Sequence, residues 1–132
     1  MPENPITNTL NCCGKLERIA QQDPERFVSR CTCGSIHLDW DFISVQFQVS
    51  DFYVLEHLIY NFDPNCQLYN TDCYFAILRD SDDQIRIWLG SFGLKFSFAT
   101  FNLFKNLLHT ANLELGMETR EQARALRILG LN

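Results

Sequence analysis

The stretch IHLDWDFISVQFQVSDFYVLEHLI, residues 36–59, alternates apolar and polar residues, turns, alternates again and then changes to helical spacing. Ile36, Leu38 and Trp40 fall on one side of the first run, with His37, Asp39 and Asp41 on the other. After a turn near Asp41-Phe42, the residues Ile43, Val45, Phe47 and Val49 alternate with Ser44, Gln46 and Gln48. A period of two marks a half-buried antiparallel strand. Phe52, Leu55, Leu58 and Ile59 then recur at helical spacing, with Ser50-Asp51 as the expected N-cap. Asp63-Pro64 is expected to close that helix.

The same plan occurs again 49 positions later, in residues 85–108. Of the 24 aligned pairs, 20 agree in polarity and 12 are apolar in both copies. Ile36/Ile85, Phe47/Phe96, Phe52/Phe101 and Leu58/Leu107 are identical. Ile85, Ile87 and Leu89 mark one strand, and Leu94, Phe96 and Phe98 the next. Thr100 is expected to cap a helix whose apolar face is Phe101, Phe104, Leu107 and Leu108. Duplication accounts for the match, and so does the periodicity that any two strand–turn–strand–helix units share.

Around this frame, Cys73 to Leu78 adds a strand, and the run Asp80 to Asp83 a polar turn. Residues 14–22 fit either a short helix or a strand, and Phe27 to Arg30 fit a strand. Thr119 with Gln122 matches a capping box that opens a last helix ending at Gly130. The expected class is α+β: an antiparallel sheet of about five main strands with helices on one face, two ββα repeats if the match is a duplication. A single domain over 1–132 divides into a loose 1–8, a cysteine-containing arm 9–34, a first unit 35–62, a second unit 72–112 and a C-terminal helix 118–130. Ile43, Val45, Phe47, Phe52, Leu55, Leu94, Phe96, Phe101, Phe104 and Leu107 are expected to share one core.

With 46 % apolar residues and 11 Phe, 4 Tyr and 2 Trp among 132 residues, the chain can offset its folding entropy by burial. A net charge of −5 without any Lys/Arg block argues against free nucleic acid as a partner. No apolar run reaches the length of a membrane span, and residues 1–11 lack the pattern of a secretory signal. The expected compartment is the cytoplasm, where the six Cys would be thiols or metal ligands. Arg120, Arg124 and Arg127 share a helix face, read as a solvated face or a dock for an acidic partner.

Cys12-Cys13 and Cys31-Thr32-Cys33-Gly34 are the residues whose spacing suggests chemistry. Zinc takes four thiolate or imidazole ligands, usually as two short-range pairs brought together by the fold. Cys12, Cys13, Cys31 and Cys33 are the candidate ligands, with His37 in reserve, and Gly34 would let amides turn toward sulfur. Buried or surface thiols and a redox pair are the other readings. Cys66 and Cys73 read as structural.

Cys31-Thr32-Cys33-Gly34-Ser35-Ile36-His37-Leu38, followed by a strand ending at Val49 and a helix from Asp51-Phe52, resembles small uncharacterised bacterial families of unknown function. Those families pair cysteines ahead of a strand–turn–strand–helix unit, and the likeness spans roughly residues 27–60. It implies a fold type and no reaction.

Nothing marks a catalytic centre. The glycines are dispersed, with no phosphate loop, nucleophile elbow or His-Glu-x-x-His. His37, His57 and His109 have no partner nucleophile in sequence, and Asp80, Asp82 and Asp83 fit a solvated turn. The chain is therefore expected to be a non-enzymatic interaction or structural module without a cofactor, or else a small zinc protein. Trp88 falls one register out from Ile85, Ile87 and Leu89, on the opposite sheet face. A homodimer through that face is the expected way to cover it.

Overall fold

In the computed structural model the described residues are 15–65, 70–71, 75–80 and 83–128, the side chains of 70–71 and 117–128 excepted. Four strands form the first sheet: β1 (Leu16–Asp23), β2 (Arg26–Cys31), β3 (Ile36–Trp40) and β4 (Ile43–Phe47). Helix α1 (Val49–Tyr60) follows. The second sheet contains β5 (Asn70–Thr71), β6 (Phe75–Arg79), β7 (Gln84–Leu89) and β8 (Phe92–Ser97), and α2 (Phe98–Ile128) ends the series. Each sheet is an antiparallel meander in sequence order.

The α+β class and the antiparallel pairing are as the sequence pattern predicts. The strands fall into two sheets because α1 interrupts the pairing after β4. Residues 14–22, ambiguous in sequence, belong to β1, and β1 and β2 complete the first sheet instead of forming a separate arm. In β1 the register shifts between Arg18 and Ala20 and again between Gln21 and Asp23, which blurs the alternation that would have marked a strand.

The 49-residue offset extends to the backbone. β2, β3, β4 and α1 start at 26, 36, 43 and 49, and residues 75, 85, 92 and 98 lie in or open β6, β7, β8 and α2. Four described residues have positive φ, and they form two pairs at the same offset: Gly34 (97°) with Asp83 (57°), and Asp41 (56°) with Gly90 (68°). The inner rows match too. Val28, Leu38 and Val45 are cross-strand neighbours in one sheet, as are Ile77, Ile87 and Leu94 in the other.

Both helices reach across to the other sheet: α1 touches β4 and β6, while α2 lies on β1, β2, β7 and β8. Where α1 and α2 meet, Tyr60 stacks on His109 with ring centroids 4.6 Å apart. These two positions are themselves 49 residues apart. The flanking contacts are exchanged by the same offset. Glu56 faces His109, and Lys105, the position matching Glu56, lies over the ring of Tyr60.

A single core joins both halves: Phe47, Phe52, Leu55, Leu94, Phe96, Phe101, Phe104 and Leu107 are buried in it, with Ile43 and Val45 half-buried against it. Trp40 meets Phe96 and Phe104 edge-on at 5.8 and 4.9 Å, tying the first sheet to the second unit.

Three local expectations change. Helix α1 begins at Val49 after Gln48, which makes no side-chain cap hydrogen bond, so Ser50-Asp51 lie inside the first turn. At α2 the Thr100 amide donates to Ser97 Oγ at 3.2 Å, which makes Ser97 the cap. No break occurs at Thr119, because α2 runs unbroken over 31 residues. The capping box there is overridden by continued helix hydrogen bonding. Gly130 lies outside the described residues, and so do the side chains of Arg120, Arg124 and Arg127.

Gly34 holds φ at +97°, and among the described residues no atom beyond its chain neighbours lies within 4 Å of where a Cβ would stand. Gly34→Ala should therefore cost about 1–2 kcal/mol through backbone strain alone. An unchanged urea midpoint would contradict the left-handed turn.

Candidate functional site

The turn from β2 to β3 is tied by its own backbone. Cys31 N–H donates to Ser35 O and Gly34 N–H to Cys31 O, both at 2.9 Å, while Thr32 N–H reaches Lys15 O at 3.1 Å. Cys31 is buried and Cys33 exposed. The Cys33 amide points at Cys31 Sγ at 3.5 Å, the amide-to-sulfur approach that Gly34 was expected to permit. Beyond it, Ser35 Oγ lies 3.1 Å from Cys33 Sγ, 3.5 Å from His37 Nε2 and 3.2 Å from Gln46 Nε2. A consistent set of roles has Gln46 and the thiol donating to the hydroxyl, and the hydroxyl donating to an unprotonated imidazole.

Burial lowers the pKa of His37, against a smaller upward pull from Asp39. The unfolded chain then binds more protons than the folded one just below the ordinary value near 6.5. Stability should be full above that value, fall as pH drops through it, and level off once the folded ring also protonates. Urea midpoints between pH 7.5 and 5 should show a decline that His37→Gln reduces. An identical decline in the variant would assign it to other groups.

Of the candidate metal ligands, Cys31 and Cys33 lie at the β2–β3 turn and His37 in β3, with Cys33 and His37 both near Ser35 Oγ, while Cys12 and Cys13 lie outside the described residues. Among the described residues no group of three or more His, Cys, Asp or Glu side chains is arranged to hold a metal ion. No described helix is long and apolar enough to cross a membrane.

Trp88 lies on the outer face of the second sheet, opposite to the buried Ile85, Ile87 and Leu89. Its cross-strand neighbours are Ala76 and Gly93, and its ring covers Gly93 closely enough that a Cβ there would meet Cε3 at 3.1 Å. A small residue on each side therefore makes room for the indole along the sheet. Beside it, Arg86 and Lys95 share Asp80 at 3.2 and 3.9 Å.

A feature that the sequence did not single out is an open groove of about 700 Å³ along β4. It is lined by Val45, Gln46 and Phe47 of β4, by Phe75 and Leu89, by the turn Gly90-Ser91-Phe92 and by Asp51 of α1. Among the described residues strand β4 pairs with β3 alone, so this side is a sheet edge. Phe92 is 40 % exposed there. A lining of apolar side chains interrupted by Gln46, Asp51 and Ser91, beside a strand edge, suits an extended segment better than a flat protein face.

No family model, curated protein or solved structure matches this chain.

Proposed function

We propose that the chain is a non-enzymatic interaction module that takes an extended segment of a partner protein into the groove beside β4. The observation that carries this reading is the coincidence of an edge strand, an exposed Phe92 and a largely apolar lining in one place. An added strand would gain main-chain hydrogen bonds from β4, and its alternate side chains would enter the groove. Panning a displayed library of unstructured peptides against wild type and against Phe92→Asp tests it. Peptides that hold wild type and lose the variant support the reading; no such peptides, or capture indifferent to the substitution, contradict it.

A second reading has zinc tying the N-terminal residues to the turn, with Cys33, Cys31 and His37 as its part of the ligand set. Its support is that Cys33 Sγ and His37 Nε2 both approach one hydroxyl, Ser35 Oγ. Metal analysis of protein purified without added metal tests it: about one zinc per chain is expected, and metal-free protein indifferent to chelators ends it. Self-association through the outer face of the second sheet is a separate proposal, checked by light scattering of wild type and Trp88→Asp. A dimer that the substitution shifts to monomer supports it, and a wild-type monomer at tens of micromolar (about the range where a weak dimer shows) rejects it.

A further inference from the structure

We infer that the segment taken by the groove carries an aromatic and a basic residue two positions apart, an inference that rests on the interaction reading above. In the other half of the chain the matching position is filled by the protein itself. There the indole of Trp40 lies against Phe96 and Phe104, at 5.8 and 4.9 Å. The guanidinium of Arg26, the cross-strand neighbour of Trp40, sits 4.4 Å above the indole centroid. Two hydrogen bonds to the carboxylate of Asp41, at 2.7 and 3.3 Å, hold it there. A ring, a cation and an acid thus stand in contact at that place.

Shifting by 49 residues turns Trp40 into Leu89, Arg26 into Phe75 and Asp41 into Gly90. Phe75 and Leu89 are again cross-strand neighbours, so the register is kept while the indole, the cation and the turn acid are all absent. What remains is the groove. An acid is present in another place: Asp51 lines the groove where the filled half has Thr100. The groove therefore offers the space of a ring and a carboxylate for a cation, within a chain of net charge −5. On a strand added beside β4, residues two apart project to the same side. The ring then packs over Leu89, which stands where the filled half has Trp40, and against Phe47, the counterpart of Phe96, and the basic group reaches Asp51.

The test uses the full chain and four blocked peptides: Thr-Trp-Thr-Arg-Thr, its Trp→Ala and Arg→Gln forms, and the form with both changes, titrated by calorimetry at low salt. Removing the ring should weaken binding about tenfold or more, as loss of a buried aromatic anchor does. Replacing Arg by Gln should weaken it about 3- to 5-fold, the usual scale of an exposed ion pair. Asp51→Asn should abolish the difference between the Arg and Gln peptides and leave the effect of the ring intact. Leu89→Trp should remove binding, because a Trp is accommodated at this register in the other half; should that variant not fold, Phe92→Asp, at an exposed position, serves in its place.

Equal binding of all four peptides, or an Arg preference that survives Asp51→Asn, overturns the inference. Failure of all four while other library peptides bind in a Phe92-dependent manner overturns it alone. Absence of any Phe92-dependent peptide overturns the interaction reading with it.

Discussion

Phe104→Ala is expected to lower stability by about 3–5 kcal/mol, the usual cost of emptying a buried aromatic site. Phe104 is fully buried, and its ring lies 4.9 Å from Trp40 of the first sheet and 4.7 Å from Phe96 of the second. Rings this close gain directional contacts beyond the area they bury, and neither neighbour can collapse into the space without leaving its own strand. Phe42→Ala is the matched control. That ring is fully exposed at the tip of the β3–β4 turn, so its removal should change stability by less than about 0.5 kcal/mol. Urea unfolding of both variants makes the comparison, and similar midpoints for the two would mean that the two halves do not share this core.

Asn112→Leu should cost about 2–3 kcal/mol, the scale on which a buried charged acceptor loses its donor. Glu56 of α1 is 6 % exposed, and its Oε1 accepts from Asn112 Nδ2 of α2 at 2.6 Å. Its other oxygen is 3.5 Å from His109 Nδ1, a buried nitrogen without a hydrogen-bond partner among the described residues, so that contact cannot replace the amide. With the amide gone, the carboxylate stays desolvated and lacks its donor. Glu56→Leu combined with Asn112→Leu should recover most of the loss, because removing both partners leaves no buried group unmet. A double variant as unstable as the sum of the singles would show that the pair is not coupled.

How far the sequence discloses this protein depends on which physical signal each part leaves. Ile36, Leu38 and Trp40, like Ile85, Ile87 and Leu89, face a core on one side and solvent on the other, and that alternation is legible without coordinates. β1 was obscured because its bulges shift the phase between Arg18 and Ala20. The long α2 was hidden by Thr119, where a local capping pattern points to a start inside a helix that continues. Which sheet each helix covers is a tertiary property, and no local pattern shows α1 reaching β6.

At the cysteine turn Cys33 and His37 approach one hydroxyl, that of Ser35, a residue that no spacing rule selects. The groove was legible only as a difference. Polarity fails to match between the repeats at four pairs: Asp39/Trp88 and Phe42/Ser91, at or beside the β7–β8 turn that lines the groove, and Ser50/Ala99 and Tyr53/Asn102, in the helices. Bulk is lost at Trp40/Leu89 and Asp41/Gly90, at the same turn. Where the two halves differ against an otherwise shared pattern, one has a groove and the other has Trp40, Arg26 and Asp41 at the matching place.

Amide hydrogen exchange, followed residue by residue with and without a peptide enriched on the wild-type protein, tests the central claim most directly. Strand addition at the groove predicts slower exchange at amides within Ile43–Phe47, with little change in β1 at the far edge of the same sheet. Protection gained in β1 or on the outer sheet faces, with β4 unaltered, would place the binding surface elsewhere and contradict the account.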